Sequence, residues 1–547
     1  MSACVRVGFG ESANDGVAEV HQRLDLPHSH EVSASDGELD HLGTVDLGTV
    51  DLGTVDLGTV DLGTVDLGTV DLGTVDGSRD QSAHDTVAVD SAPEACIPHC
   101  TNQPCGADDG CGSACQAGCI TDMVHGWSAR FGNALADKYC QVAIDPSGNI
   151  IITGTFQGTI DFGGAPLISA GETDIFVVSY DSSGVYRWSK RLGSPLRELT
   201  PYVVADANGH VTVAGSFQGT VDFGGGALTS AGSYDVFVAS YDSNGVHRWS
   251  KQLGASPAEG VHQIMIDSAD SVIILGYFSS SIDLGGSLLS TAGNDDIFIA
   301  SYDSNGVHRW SKSIGGPLWD HSWGGVVDAN DNVLVTGGFQ GAVDFGGGSL
   351  TSAGGYDIFL ASYTSTGVHR WSKGFGSVSH DLGNALAAHG GNITFTGSFG
   401  GTITLGGASL TAQGSSDAFL ASYDSDGIHR WSMNFGVSSY ANGAGVAVDA
   451  NGNAIVTGSF RGTLNPGAGL LTSAGTDVFV ASYDSYGTHL WSDRYGSSLE
   501  DAGLSIAVDR AGNFTLTGYF EGGVDFGGGL LTSLGDADIF VLQLWPR

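Results

Sequence analysis

Seven tryptophans, Trp127, Trp188, Trp249, Trp310, Trp371, Trp431 and Trp491, recur every 60 or 61 residues inside nearly the same stretch of text. Residues 240–251 return unchanged as residues 301–312. A fixed period carried by strand-like text means stacked copies of one unit, none of which can bury its apolar faces alone. From residue 124 onward the chain is one repeat copied seven times.

Each copy holds four strand-like stretches. In the second copy they are 202–205, 211–217, 235–241 and 246–253. Between them lie the turn Asp206-Ala207-Asn208-Gly209, a Gly-rich loop over 219–232 and the turn Asp242-Ser243-Asn244-Gly245. Asx and Gly between β-branched and aromatic runs signal tight hairpins, because these residues tolerate positive φ. Each copy is therefore predicted to be a four-stranded antiparallel meander. Its second and third strands, such as Ile150-Ile151-Ile152-Thr153-Gly154 and Asp174-Ile175-Phe176-Val177-Val178, are apolar or small on both faces. Such strands are covered on both sides by other sheets, the situation of a propeller blade.

The ring's closure is also legible. The seventh copy ends at Ile539-Phe540-Val541-Leu542-Gln543-Leu544-Trp545 with only three strands, while Val124-His125-Gly126-Trp127-Ser128 supplies the missing Trp-bearing strand before the first copy. The expected fold is all-β: a seven-bladed β-propeller over 124–547, closed by an N-terminal strand so that no blade is left with a broken edge. A linear solenoid would want atypical polar capping repeats, and none is present.

Four motif pieces recur in order in the copies. In the first they are Asp145-Pro146-Ser147-Gly148-Asn149, Thr153-Gly154-Thr155-Phe156, Asp161-Phe162-Gly163-Gly164 and Asp174-Ile175-Phe176-Val177. This text resembles the bacterial β-propeller repeat called SBBP across roughly residues 124–547. The resemblance implies a secreted or surface-attached propeller with no general enzymatic activity. A weaker likeness to quinoprotein propeller repeats is one residue short in the spacing Asp242, Gly245, Trp249, so no quinone cofactor is expected.

The preceding residues differ in kind. After an acidic segment over 1–41, seven error-free Leu-Gly-Thr-Val-Asp pentads fill 42–76, and a linker spans 77–95. The low-complexity pentads read as a flexible acidic spacer with little apolar bulk. A pentapeptide β-helix is the competing reading, but so few pentads bury no core. Cys96, Cys100, Cys105, Cys111, Cys115 and Cys119 then fall in Gly-rich text without paired Cys-x-x-Cys spacing, which reads as a small disulfide knot with zinc as the alternative. Disulfide bonds belong to oxidising compartments, so the segment argues for export to an extracellular or cell-surface location. No apolar signal segment opens the chain. Met1-Ser2-Ala3-Cys4 looks like the end of a bacterial lipoprotein cleavage box, and the hypothesis is that the start lies inside the signal peptide and Cys4 carries lipid.

A formal net charge of −40 repels phosphate backbones and anionic headgroups, so nucleic acid is excluded as a partner and a glycan or protein surface is expected. No stretch is long and apolar enough to be a transmembrane segment. A monomer is expected. No nucleophile elbow, zincin, P-loop or EF-hand motif occurs, so the expectation is no enzyme and no obligatory cofactor. The recurrent His125, His247, His308, His369, His429 and His489 sit on different blades and are read as packing beside the Trp.

Loops joining a fourth strand to the next first strand carry the sharpest candidates. One position in each reads Asp137, Glu198, Glu259, Asp320, Asp381, Ala441 and Asp501, six acids in seven copies. With first strands innermost, these would ring one channel mouth and suit calcium or a cationic ligand. The structural alternative is that each acid caps its own loop. In the fourth copy the same loop reads Trp319-Asp320-His321-Ser322-Trp323, and Trp319, Asp320, His321 and Trp323 are the candidate ligand-binding residues. Enzymes break repeat symmetry more than this, so an exported metal-dependent enzyme at the channel mouth is the second reading behind a non-catalytic surface module.

Overall fold

The computed structural model describes residues 123–254, 259–436, 438–467 and 469–546. The pentad spacer, the six-cysteine segment and Cys4 lie outside them. Among the described residues there is no helix, and so none long and apolar enough to cross a membrane.

Seven four-stranded antiparallel sheets form the blades. Blade 1 consists of Gln141–Ile144, Ile150–Phe156, Asp174–Tyr180 and Tyr186–Leu192. The first strands of blades 2 to 7 are Glu198–Ala205, Glu259–Ile266, Asp320–Val327, Leu382–His389, Tyr440–Val448 and Ala502–Val508. These strands pack on one another in series, and Gln141–Ile144 packs on Ala502–Val508, which closes the ring with first strands innermost. In blade 7, Asp538–Pro546 pairs on one side with Phe514–Phe520 and on the other with Met123–Phe131. The expected closure by an N-terminal strand is thus observed, with Trp127 opposite Gln543.

The core is divided into seven. Each large apolar cluster mixes side chains from two neighbouring blades, as where Ile151, Ile175 and Val177 of blade 1 meet Val213, Phe217 and Phe237 of blade 2. Second and third strands are buried along their whole length in blades 1 and 2, which explains their unalternating apolar text.

One segment differs from its sequence reading. The Gly-rich stretch of blade 2 contains a two-stranded ribbon, Thr220–Asp222 with Ala227–Thr229. Val221 and Phe223 are buried, the Tyr241 hydroxyl donates to the Phe223 carbonyl at 2.9 Å, and Asp222 accepts the N–H groups of Gly224 and Gly226. The ribbon is held to its blade by these contacts rather than by alternation in its own text. The recurrent histidines serve the same purpose: His247 lies edge-on to Tyr241, bonds Ser250 at 3.1 Å, and fills the space that a Cβ on Gly225 would need. Their packing partner is therefore chiefly the third-strand Tyr and the ribbon, not the Trp beside them.

The periodic Trp fastens blades together. Trp188 Nε1 donates to the Ser243 carbonyl in the third-to-fourth-strand turn of blade 2 at 3.0 Å, and Trp249, Trp310, Trp371 and Trp431 repeat the bond to the next blade. Gly245 closes that turn with φ +78°, and a Cβ there would stand 2.9 Å from the Trp188 ring, so both conformation and space demand glycine. Blade 7 is built from the two ends of the chain and has no such turn; Trp491 Nε1 is buried without an acceptor.

Candidate functional site

The six acids of the joining loops are enclosed, at 0–1 % exposure. Asp320 shows what most of them do. Its Oδ2 accepts the Gly316 N–H at 2.7 Å, its Oδ1 accepts the Gln340 N–H at 3.1 Å, and its own N–H donates to the Asp295 carbonyl of blade 3 at 2.9 Å. Asp137, Asp381 and Asp501 repeat the two side-chain bonds, and Glu198 accepts the Ser194 N–H. Each of these four aspartates thus ties the incoming loop to the end of the second strand, whereas Glu198 Oε1 is buried without a partner. Burial pushes Asp137 up to about 7, Glu198 to about 8, and Asp320 and Asp501 to about 6, against the opposing pull of the N–H donors. The open ring of carboxylates expected at the channel mouth is instead a set of separate, loop-capping carboxyls. Among the described residues no group of three or more His, Cys, Asp or Glu side chains could hold a metal ion.

A second acidic row, all buried, opens the third strand in six blades, at Asp174, Asp235, Asp296, Asp357, Asp417 and Asp538, and in blade 6 is Asp477 within Leu471–Tyr483. Each of these carboxyls lies under the Gly that ends its outer strand; a Cβ on Gly315 would meet Asp296 Cγ at 2.3 Å. Five of the seven receive a donor from the outer strand. Arg130 reaches Asp538 at 2.5 Å, Arg191 reaches Asp174 at 2.7 Å and Asn434 reaches Asp417 at 3.1 Å, while Gln252 and Arg494 bond Asp235 and Asp477. The matching outer-strand residues in blades 3 and 4 are Ser313 and Gly374. Burial raises Asp296 to about 6 and also raises Asp357.

Symmetry breaks most at the junction of blades 3 and 4. Every first strand from blade 2 to blade 7 carries a β-bulge, and in blades 3 and 4 the residues left out of register are His262 and Trp323. A bulge re-aims its side chain. His262 Nδ1–H donates to the Ser322 carbonyl at 2.6 Å across the junction. His321 stacks between Tyr277 and Trp323, with ring centroids 4.9 and 6.0 Å away, and Tyr356 meets both His321 and Trp323 edge-on. Asp295 Oδ2 lies 3.2 Å from His321 Nε2, close enough for an ion pair but off hydrogen-bond geometry. His321 Nδ1 and Trp323 Nε1 are buried without partners. An unmatched buried polar atom costs about 1–3 kcal/mol, so this junction carries a penalty.

The four candidate ligand-binding residues therefore separate. Trp319 is 43 % exposed and Leu318 42 %, whereas Asp320, His321 and Trp323 are at most 3 % exposed. Trp323 and His321, expected on the binding face, instead form part of the wall beneath it, because the bulge turns Trp323 against Tyr356 and His321. Leu135, Leu196, Val378 and Leu499 are exposed in the equivalent loops of other blades, so the face carries a recurrent apolar bump of which Trp319 is the largest.

The opposite face carries the short Asp turns between first and second strands. It holds a cavity of about 200 Å³ lined by residues including Asp145, Pro146, Asp206, Ala207, Asp509 and Arg510. Turns of this kind leave space between blades even when each turn is closed on itself. Among the turn carboxylates, Asp145 and Asp206 are spent on the N–H groups of their own turns.

No protein-family profile matches the chain. An uncharacterized WD repeat-containing protein of Acanthamoeba polyphaga mimivirus is 21 % identical over 516 residues, covering 74 % of this chain and 36 % of that protein. The regulatory protein FlaEY of Caulobacter vibrioides is 26 % identical over 155 residues, covering 27 % of this chain and 16 % of that protein. The chain thus spans 36 % of the length of one of these curated relatives and 16 % of the other. Among solved structures, Sqt1 of Chaetomium thermophilum aligns with 78 % of this chain and all of its own at 11 % identity, with a TM-score of 0.39. The Pan2 WD40 domain of Neurospora crassa aligns with 76 % of this chain and 98 % of its own at 11 % identity and a TM-score of 0.37. The sheet topology, rather than any of these likenesses, makes the chain a closed seven-bladed β-propeller.

Proposed function

We propose that this propeller is a non-catalytic binding module, exported and held at a bacterial surface, whose ligand face is built by the fourth-to-first-strand loops around Trp319. The observation that carries the reading is the exposure of Trp319 and Leu318 on the loop between blades 3 and 4, above the junction where the repeat departs furthest from itself. A rigid ring offering an exposed tryptophan beside variable loops suits a protein or glycan surface, since exposed aromatic anchors dominate binding energy. Export rests on the SBBP-like text and the cysteine-dense segment.

Arrays of glycans and peptides probed with the full-length chain test the face. Hits should weaken roughly 30-fold on Trp319→Ala, in keeping with a hot-spot loss of about 2 kcal/mol, and should be unmoved by Val246→Ala, an exposed turn residue of another blade. Hits indifferent to Trp319→Ala would place the ligand elsewhere.

A further inference from the structure

We infer that blades 3 and 4 carry two vacant cation seats, at Ser313 over Asp296 and at Gly374 over Asp357, and that they receive arginine side chains from a protein partner. The inference rests on the proposed binding face and names the chemistry of its ligand.

The chain supplies its own template. In blades 1, 6 and 7 an arginine three residues beyond the periodic Trp reaches back to the buried carboxyl at the head of the third strand. The side chains of Arg191, Arg494 and Arg130 remain 25–36 % exposed while their carboxyl partners are fully buried, so each seat opens to solvent. Gln252 and Asn434 fill the seat in blades 2 and 5 with a neutral donor. Only the adjacent blades 3 and 4 present a residue too short to reach. Ser313 is half-buried and Gly374 is exposed, so at this position no side chain of the outer strand reaches the carboxyl, which lies under Gly315 or Gly376.

What the missing donor would meet is in place. Asp296 and Asp357 are 2 % and 4 % exposed, and Oδ2 of each accepts only the N–H of Ala292 or Ala353, where Asp174 Oδ2 accepts both the Ala170 N–H and Arg191; Oδ1 is without a partner in all three. Blade 3 adds Asp295, where the same position in other blades is Thr173, Tyr234, Tyr356, Ser416, Thr476 or Ala537. Its Oδ2 is buried and has only His321 beside it. Two adjoining carboxyls without a guanidinium, next to an exposed tryptophan and on a chain of net charge −40, are complementary to a basic side chain. Guanidinium is the better fit than ammonium because it is the chain's own occupant in blades 1, 6 and 7, where one N–H of the group bonds the carboxyl.

Calorimetric titration of the full-length chain with N-acetyl-arginine methylamide, and with the neutral isostere N-acetyl-citrulline methylamide, tests the seats. Arginine should bind at one equivalent per seat and roughly tenfold more tightly than citrulline, the margin expected of charge-assisted over neutral hydrogen bonds. The double variant Ser313→Arg, Gly374→Arg fills both seats from within, as Arg191 does; a Cβ at Gly374 meets Phe339 Cζ at 3.4 Å, an ordinary contact. That variant should stay folded, melt higher and lose the arginine response. Equal binding of the two probes, or an arginine response that survives in the filled variant, would overturn the proposal and leave the seats to a proton or water. Array hits that depend on Trp319 yet persist in the filled variant would sink the seats while sparing the face.

Discussion

The junction between blades 1 and 2 and the junction between blades 3 and 4 are made from the same repeat, yet only the first supplies its third-strand carboxyl with a cation. In the first, Arg191 neutralises Asp174, Trp188 bonds Ser243, and Leu199 and Pro201 occupy the positions that hold His321 and Trp323 in the second. In the second, Trp310 still bonds Ser365, but Ser313 replaces the arginine, Asp295 adds a carboxyl, and four buried polar atoms go unmatched, against Asp174 Oδ1 and Glu198 Oε1 in the first. The blade frame is therefore indifferent to what fills these few positions, which frees them for recognition. A repeat fold carries its stability in the shared contacts and can concentrate its differences where they cost one junction only.

The largest expected effect is on the dependence of stability on pH. Carboxyls whose folded pKa lies above its unfolded value favour the folded state in their protonated form. Their contribution is complete below about pH 4 and is lost as pH rises through about 6 to 8, the range of Asp296, Asp320, Asp501, Asp137 and Glu198. Urea denaturation from pH 5 to pH 8.5, roughly that window, should show stability falling, and Ser313→Arg should flatten the fall by supplying Asp296 with a cation. A flat profile in the native chain would mean that the loop N–H bonds fully offset burial. Below that window the sign reverses for Asp181, Asp222 and Asp344, whose turn hydrogen bonds hold them below the usual range, so acid weakens the turns.

Next in size is the arginine itself. Arg191→Ala leaves Asp174 buried without its cation and should cost about 2 kcal/mol, discounted from the full cost of breaking a buried pair because Arg191 is 36 % exposed. Ser313→Ala should stay within about 0.5 kcal/mol, and denaturation midpoints at constant slope read both. Equal losses would mean that Ser313 has a role the contacts do not reveal.

A smaller contrast sets any internal seam against the closing one. Trp188→Phe removes a bond to Ser243 and should cost about 1 kcal/mol, whereas Trp491→Phe removes an N–H that has no acceptor and should cost about 0.5 kcal/mol or less. The smallest effect expected is none: calcium, magnesium and chelator should leave the melting temperature where it is, because Asp137, Asp320, Asp381 and Asp501 already spend both oxygens on N–H donors. A saturating metal site would add about 2.7 kcal/mol at a hundredfold excess over Kd, which a thermal melt would register.

Much of the frame was legible before any coordinates. The strands of blade 2 were expected at 211–217 and 235–241 and are Val211–Phe217 and Asp235–Tyr241. The first strand was read short, from 202, because its bulge at Leu199 to Tyr202 breaks the alternation. The candidate site was legible only in part. The row of joining-loop acids stood out as a pattern, but its enclosure did not, since the donors to Asp320 lie four and twenty residues away. The third-strand Asp row was in plain view in all seven copies, and its signal was the variable residue three beyond each Trp, whose meaning needs the pairing of the two strands.

By itself the sequence determined that there are seven copies, that each is a four-stranded meander, and that the first strand after residue 122 completes the last blade. Those features follow from local chemistry: Asx–Gly turns, unalternating apolar runs and a count of strands are all readable between near neighbours. Only the tertiary structure decided which tryptophan finds an acceptor, which carboxyl is neutralised, and which of Trp319 and Trp323 meets solvent. These depend on burial and on partners that arrive from another blade, some 55 residues away for the Trp188 bond to Ser243, and no local pattern carries that information.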